Sequence, residues 1–272
     1  MYKFLKIITV LTLSAIILVA YAFIEPRWIK TKIVTIQSAD IPENFDDFKI
    51  VFISDIHHGP YLSIERVAKL VKRINKLEPD IILLGGDYVH RDAKYIVPVF
   101  EELSKFQSKH GVFAVLGNHD HWEDANLTLQ MMNQASFNVC NNNSFWLKIG
   151  KDSIKIGGVD DLWEGKQIID STISDVKQED FCILISHSPD YVEEMNTNLV
   201  DLVVSGHTHG GQVTFFGLWA PIIPSKYGQK YRYGLKEIGN NNLYITSGIG
   251  TITPPVRFFC RPEIVVFKLK KD

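Results

Sequence analysis

Five times along this 272-residue chain an apolar run breaks off into a cluster of Asp, His or Asn: "FISDIHHG" from Phe52, "LLGGDYVH" from Leu83, "VLGNHDHW" from Val115, "LISHSPD" from Leu184 and "VVSGHTHGG" from Val203. A single histidine beside a strand end is ordinarily a turn or surface residue. Five successive runs ending in ligand-type side chains are not five accidents. Carboxylates, imidazoles and one amide oxygen, with no thiolate, suit a borderline or hard divalent ion such as Mn, Fe or Zn rather than a structural zinc. Seven ligands of this kind are too many for one ion. Divided over two ions about 3.5–4 Å apart that share a carboxylate, they form a clamp for in-line displacement at phosphorus, and the ions lower the pKa of a bound water toward neutrality.

The elements that must position these groups follow from hydrophobic periodicity. "KIVTIQSADIP" and "FKIVFISD" predict short strands. In "SIERVAKLVKRINKLEPD" the apolar residues Ile64, Val67, Leu70, Val71, Ile74 and Leu77 recur at helical spacing, with Ser63 as N-cap and Pro79 as the stop. "DIILLGGD" predicts another strand, Lys94 to Gln107 a second helix, and "GVFAVLGNHD" a third strand. That alternation is an α/β layout with a parallel sheet. From about Asn138 shorter strands follow closely: "SFWLKIG", "DSIKIGGV", "FCILISH", "LVDLVVSGH", "NLYITSG" and "EIVVFKL". In open α/β sheets ligands bind outside the carboxyl ends of the strands, so the five loaded ends would converge in one crevice. No repeat or low-complexity linker interrupts the chain, and residues 33–272 read as one domain.

Residues 1–32 differ. Ile7 to Ile24 is eighteen residues without a charge, and a helix over about 5–24 is long enough to cross the hydrocarbon layer. An uncleaved single-pass anchor in the cell membrane is expected; a cleaved secretory signal, with "AYA" at Ala20 to Ala22 as its cleavage site, is the competing reading. Lys3 and Lys6 on one side balance Arg27, Lys30 and Lys32 on the other, so charge bias leaves the membrane face of the domain open. A net charge of −2 supplies no positive field for nucleic acid, which is not an expected partner. Cys140, Cys182 and Cys260 form neither a disulfide framework nor a CxxC knuckle.

The blocks Asp55-x-His57, Gly86-Asp87, Gly117-Asn118-His119-Asp120, His187 and Gly206-His207-x-His209 resemble, in order, the motif series of the calcineurin-like metallophosphoesterases. The resemblance implies a four-layer α-β-β-α sandwich of two mixed sheets, here preceded by the transmembrane helix. It implies that Asp55, His57 and His209 hold a first divalent ion and that Asn118, His187 and His207 hold a second. Asp87 would bridge them. His119 would be the proton donor or phosphate contact, with Asp120 orienting its imidazole. His207 and His209, two residues apart in "GHTHGGQ", would thus serve different ions, with Gly206, Gly210 and Gly211 letting the backbone bend.

The N-terminal segment, "GHTHGGQ" and the tail "SGIGTITPPVRFFCRPEIVVFKL" resemble the membrane-associated bacterial phosphodiesterases of that superfamily, some of which hydrolyse UDP-2,3-diacylglucosamine in lipid A synthesis. The function implied is hydrolysis of a phosphodiester or pyrophosphate, on a membrane-associated or lipid-linked substrate, by attack of a metal-bound hydroxide. A phosphomonoesterase or protein phosphatase using the same site, and a noncatalytic metal-binding scaffold, are the alternatives. Of the other polar residues, His58 reads as a rim or solvent position, His121 as pocket wall or surface loop, His110 as structural and Arg91 as a distant candidate for a phosphate contact. Part of Phe215 to Gly234, with "PPVRFFCRP", would form an amphipathic rim that meets lipid or an acylated substrate; a packed excursion that hides its own apolar side chains is the alternative. Gln212 has no role assignable from sequence.

Overall fold

The fold is that of a computed structural model, which describes residues 1–239 and 241–272. Helix α1 (Tyr2–Ile24) leads into strand β1 (Lys30–Ser38), followed by β2 (Lys49–Ile53), α2 (Ile64–Asn75), β3 (Ile81–Leu84), α3 (Ile96–Leu103), β4 (Val112–Ala114), α4 (Asn118–Gln134) and β5 (Asn138–Val139). Then come β6 (Asn143–Ile149), β7 (Asp152–Gly158), α5 (Asp170–Ile173), β8 (Cys182–Ile185), β9 (Leu202–Ser205), β10 (Gly234–Ile238), β11 (Asn241–Ile245) and β12 (Glu263–Lys271). The strands form two six-stranded sheets, ordered β1-β12-β2-β3-β4-β5 and β10-β11-β9-β8-β7-β6. Both are mixed: β2, β3, β4 and β5 run parallel while β12 lies antiparallel to β2, and β7, β8, β9 and β11 run parallel between two antiparallel edges.

The period-two alternation of each central strand builds the layers. Ile50 and Phe52 of β2, with Ile81 and Leu83 of β3, face the second sheet and meet Ile183, Ile185, Leu202 and Val204 from β8 and β9. Val51, Ile53, Ile82 and Leu84 turn the other way, onto α2 and α3. Because both faces are covered, these strands read as unbroken apolar runs rather than alternating ones. Helix α2 buries Val67, Leu70, Val71 and Ile74, each contributing roughly 1.5–3 kcal/mol on leaving water.

Some local expectations are corrected. Ser63 occupies the N-cap position of α2 but its side chain makes no capping bond. The helix expected over Lys94 to Gln107 is shorter, a single-turn 3₁₀ segment at Ala93–Tyr95 followed by α3. Helix α4, absent from the sequence reading, starts inside the "GNHD" cluster itself. Its apolar pattern is broken at Asp124, whose backbone leaves the helical region (φ −173°, ψ 95°) and whose carboxylate accepts from the Leu127 N–H at 2.9 Å.

No residue of α1 is buried, and among the described residues it is the one helix long and apolar enough to cross a membrane. Glu25 and Pro26 are buried, and the Glu25 carboxylate accepts the Phe259 N–H at 2.7 Å. The Ala22 carbonyl accepts the Arg257 N–H at 2.9 Å, which ties the last turn of α1 to the segment before β12.

Candidate metal centre

The carboxyl ends of β2, β3 and β4 from one sheet, and of β8 and β9 from the other, meet at one edge of the sandwich. The backbone there is forced. Of the seven expected ligands, Asp55 (φ 54°), His57 (48°), Asp87 (58°), His207 (65°) and His209 (51°) stand in the left-handed region. Non-glycine residues enter it at a cost of order 1–3 kcal/mol each, and such strain persists only where surrounding structure dictates it. Here it is dictated by main-chain bonds between neighbouring loops, Asp55 N–H to Gly86 O (3.0 Å), His57 N–H to Asp87 O (3.0 Å) and Gly250 N–H to Asp55 O (2.7 Å). Close approach does the rest: a Cβ on Gly206 would collide with Ser54 Oγ and the Asp55 carboxylate.

The side-chain atoms so placed fall into two groups. In the first, His57 Nε2 lies 3.0 Å from His209 Nε2 and 3.4 Å from Asp87 Oδ2, and His209 Nε2 lies 3.5 Å from Asp55 Oδ1. In the second, His187 Nε2 lies 3.2 Å from Asp87 Oδ2 and 3.2 Å from Asn118 Oδ1, while His207 Nδ1 lies 2.9 Å from Asn118 Oδ1 and 3.3 Å from His187 Nε2. Asp87 Oδ2 belongs to both. The structure thus brings all seven residues together and separates His207 from His209.

These atoms fit divalent cations. Two imidazole nitrogens facing each other share at most one proton, carboxylate oxygens bring none, and among the described residues no lysine or arginine pairs with Asp55 or Asp87. Burial keeps His57 and His209 well below the ordinary imidazole range and drives His207 down to about 3, so their lone pairs are free for a metal. The His187 Nδ1 hydrogen donates to Gly85 O at 2.6 Å, which leaves Nε2 facing the site.

The surrounding residues differ from expectation in several places. Asp120 does not stand behind the His119 imidazole. Its buried carboxylate accepts three backbone N–H groups, from Asp87 (2.8 Å), Tyr88 (2.9 Å) and Gly117 (2.9 Å), because α4 begins there and turns the side chain back under the β3 loop. The His119 ring lies instead among His57, His90 and Trp122, with the His90 and His119 Nδ1 atoms 3.5 Å apart. His58 is buried, not at the rim, and bonds Leu62 O at 2.8 Å. His121 pairs with Asp160 at 2.8 Å, and Arg91 reaches Thr253 Oγ1 at 2.5 Å.

A cavity of about 360 Å³ opens over Asp87, Asn118, His207 and His209. Two half-exposed indoles flank it, Trp122 with its ring 4.5 Å from that of His119 and Trp163 with its ring 4.3 Å from that of His207. The Trp122 Nε1–H donates to Glu164 at 2.7 Å, linking the two walls. Trp163 and His90 left no signal in the sequence beyond following a strand end. Gln212 acquires a role: its amide accepts from Ile252 N–H (3.0 Å) and donates to Pro254 O (2.8 Å), while its carbonyl accepts from Phe258 N–H (3.0 Å). It therefore clamps the His207–His209 loop to residues 252–258.

Comparison with known proteins places the chain in a family. A family model described as calcineurin-like phosphoesterase matches residues 48–211. An uncharacterized metallophosphoesterase of Bacillus subtilis (strain 168), YkuE, is 35% identical over 91% of this chain and 88% of its own length. The phosphodiesterase YaeI of Escherichia coli (strain K12) is 29% identical over 91% of this chain and 90% of its own. Among solved structures, the NAD nucleotidase of Haemophilus influenzae superposes with a TM-score of 0.50 at 18% identity, covering 74% of this chain and 45% of that one, which is a likeness of fold.

Proposed function

The chain belongs to the calcineurin-like phosphoesterase family and is a metal-dependent phosphoric ester hydrolase, and from that premise we propose that it cleaves a phosphodiester or pyrophosphate on a membrane-associated, lipid-linked substrate. UDP-2,3-diacylglucosamine of lipid A synthesis is the member of that class tested first. The supporting observation is the pair of donor groups meeting on Asp87 Oδ2. Asp55, His57 and His209 with Asp87 would hold one divalent ion, and Asn118, His187 and His207 with Asp87 the other. Such a pair, manganese being the first choice, supplies Lewis acidity toward the phosphoryl oxygens and acidifies a bound water. Residues 33–272 would form the catalytic domain, and α1 its single-pass anchor in the cell membrane.

The chain's own groups carry the remaining work. Asp87 Oδ1 accepts the His119 N–H at 2.9 Å, which fixes the start of α4 against the bridging carboxylate and sets His119 at the cavity mouth. From there its imidazole would hand a proton to the leaving oxygen. His119→Ala is expected to keep full metal content yet slow turnover by roughly 10²–10⁴-fold, with leaving groups of low pKa least affected. Uniform slowing across a leaving-group series would remove the proton-donor role.

The reading is tested with purified full-length protein loaded with Mn and offered a monoester, a soluble diester and a nucleotide-sugar lipid. Hydrolysis is expected on the diester and the lipid, and is expected to vanish on chelation and return with Mn. Preference for the monoester would favour a phosphomonoesterase instead. Activity unaffected by complete metal removal would overturn the assignment.

A further inference from the structure

Beyond the His207–His209 loop the chain projects an apolar rim into solvent. Phe215 (67% exposed), Phe216 (63%), Leu218 (79%), Trp219 (53%) and Ile222 (77%) are more open than such side chains ordinarily are when clustered. The segment is not frayed. Phe215 N–H donates to Trp219 O (2.7 Å), Gly217 N–H to Thr214 Oγ1 (2.9 Å), and Arg232 to Gly217 O (2.8 Å). A built, well-bonded loop that holds five apolar side chains outward is presenting them to something.

Two features say to what. First, the rim is continuous with α1. Phe215 packs on Phe216 (ring centroids 4.8 Å), Phe216 on Phe259 (5.1 Å), Phe259 on Tyr21 (5.5 Å), and Tyr21 on Trp28 (5.9 Å). Tyr21 and Trp28 bracket the end of the unburied apolar helix, where aromatic residues anchor a membrane span at the headgroup level. Second, an apolar groove of about 300 Å³, walled by Val213, Pro221, Ile222 and Pro254, runs from this rim inward. It shares His209, Pro224, Ile252 and Thr253 with the cavity over the metal ligands.

We propose that Phe215–Ile222 lies in the interface of the bilayer that α1 crosses, and that the groove receives an acyl chain of a lipid-borne phosphodiester while its phosphorus sits over the metal ligands. The substrate would enter from the plane of the membrane without leaving it. The proposal rests on the membrane reading of α1 and on the phosphodiesterase reading of the site, and its tests separate from both.

Full-length protein carrying Leu218→Cys is labelled with an environment-sensitive dye and reconstituted into phosphatidylglycerol/phosphatidylethanolamine vesicles; the three native cysteines are buried. Lys151→Cys, in the exposed β6–β7 turn at the far end of the second sheet, is the control. Brominated lipid is expected to quench the label at 218 several-fold more than at 151. Equal quenching at the two positions overturns the interfacial placement, and so does a label at 218 shielded from water but untouched by brominated lipid, which would indicate a protein partner. Release of the protein by carbonate would overturn the anchor instead. For the groove, Ile222→Asp is expected to lower the ratio of lipid-diester to soluble-diester turnover about tenfold or more, the effect of no longer burying one such side chain against a chain of methylenes. An unchanged ratio overturns it, whereas wild-type protein inactive on both diesters overturns the phosphodiesterase reading and leaves the quenching result to decide the rim.

Discussion

Asp87→Asn is expected to reduce hydrolysis by on the order of 10³-fold and to lower bound metal below two ions per chain, a larger loss than the 10–100-fold that follows removal of a supporting partner. The substitution preserves shape, so what it removes is charge. The seven residues at the centre include two carboxylates, Asp55 and Asp87, and Asp87 Oδ2 reaches both groups, 3.4 Å from His57 Nε2 and 3.2 Å from His187 Nε2. Neutralising it removes half of the negative charge that two dications would meet and replaces one shared oxygen with an amide that binds less strongly. Metal stoichiometry by elemental analysis, read beside turnover, checks this. A variant holding two ions at full rate would falsify the bridging role.

Asp120→Ala is expected to act on folding before it acts on chemistry. Its carboxylate is the acceptor for the Asp87, Tyr88 and Gly117 N–H groups, all buried. Orphaning a buried donor costs about 1–3 kcal/mol, so three of them amount to at least about 3 kcal/mol. For a chain of this size that corresponds to a fall in Tm of roughly 6–12 °C. The experiment is thermal unfolding in chelator, so that metal loss does not contribute. Were Asp120 present only to orient His119, the Tm would be unchanged and turnover alone would suffer. Metal affinity should also weaken, because the bonds lost hold the backbone of Asp87 itself.

The two substitutions act on neighbouring residues through different physics, and the difference bears on what a sequence can disclose. Asp87 and Asp120 each follow an apolar run and look alike on paper. One has its carboxylate among imidazoles; the other has it among peptide N–H groups, since the first turn of α4 directs it under the preceding loop. That helix was itself unreadable, because Asn118–Gln134 is kinked at Asp124 and carries no sustained apolar stripe. His90 is illegible in the sequence for a similar reason. Nothing in "GGDYVH" indicates that the chain would place its ring beside that of His119 from another loop.

By itself the sequence determined the types and order of the candidate ligands, the short buried strands that carry them and the apolar N-terminal helix. Residue chemistry and periodicity are local properties and can be read one stretch at a time. Only the tertiary structure decided which of those polar residues face one another. It split the donors into two groups about Asp87, turned Asp120 from a catalytic partner into a backbone clamp, and gave Gln212 the task of tying the His207–His209 loop to residues 252–258. It also joined the rim at Phe215 to the helix end at Tyr21 through Phe259. Those relations join different loops, 33 positions apart for Asp87 and Asp120 and 40 for Gln212 and Ile252, and those at the metal centre accompany backbone held in the left-handed region at Asp55, His57, Asp87, His207 and His209. That conformation is unfavourable for each residue taken alone, so no local preference predicts it; the packed sheets and their interlocking loops impose it.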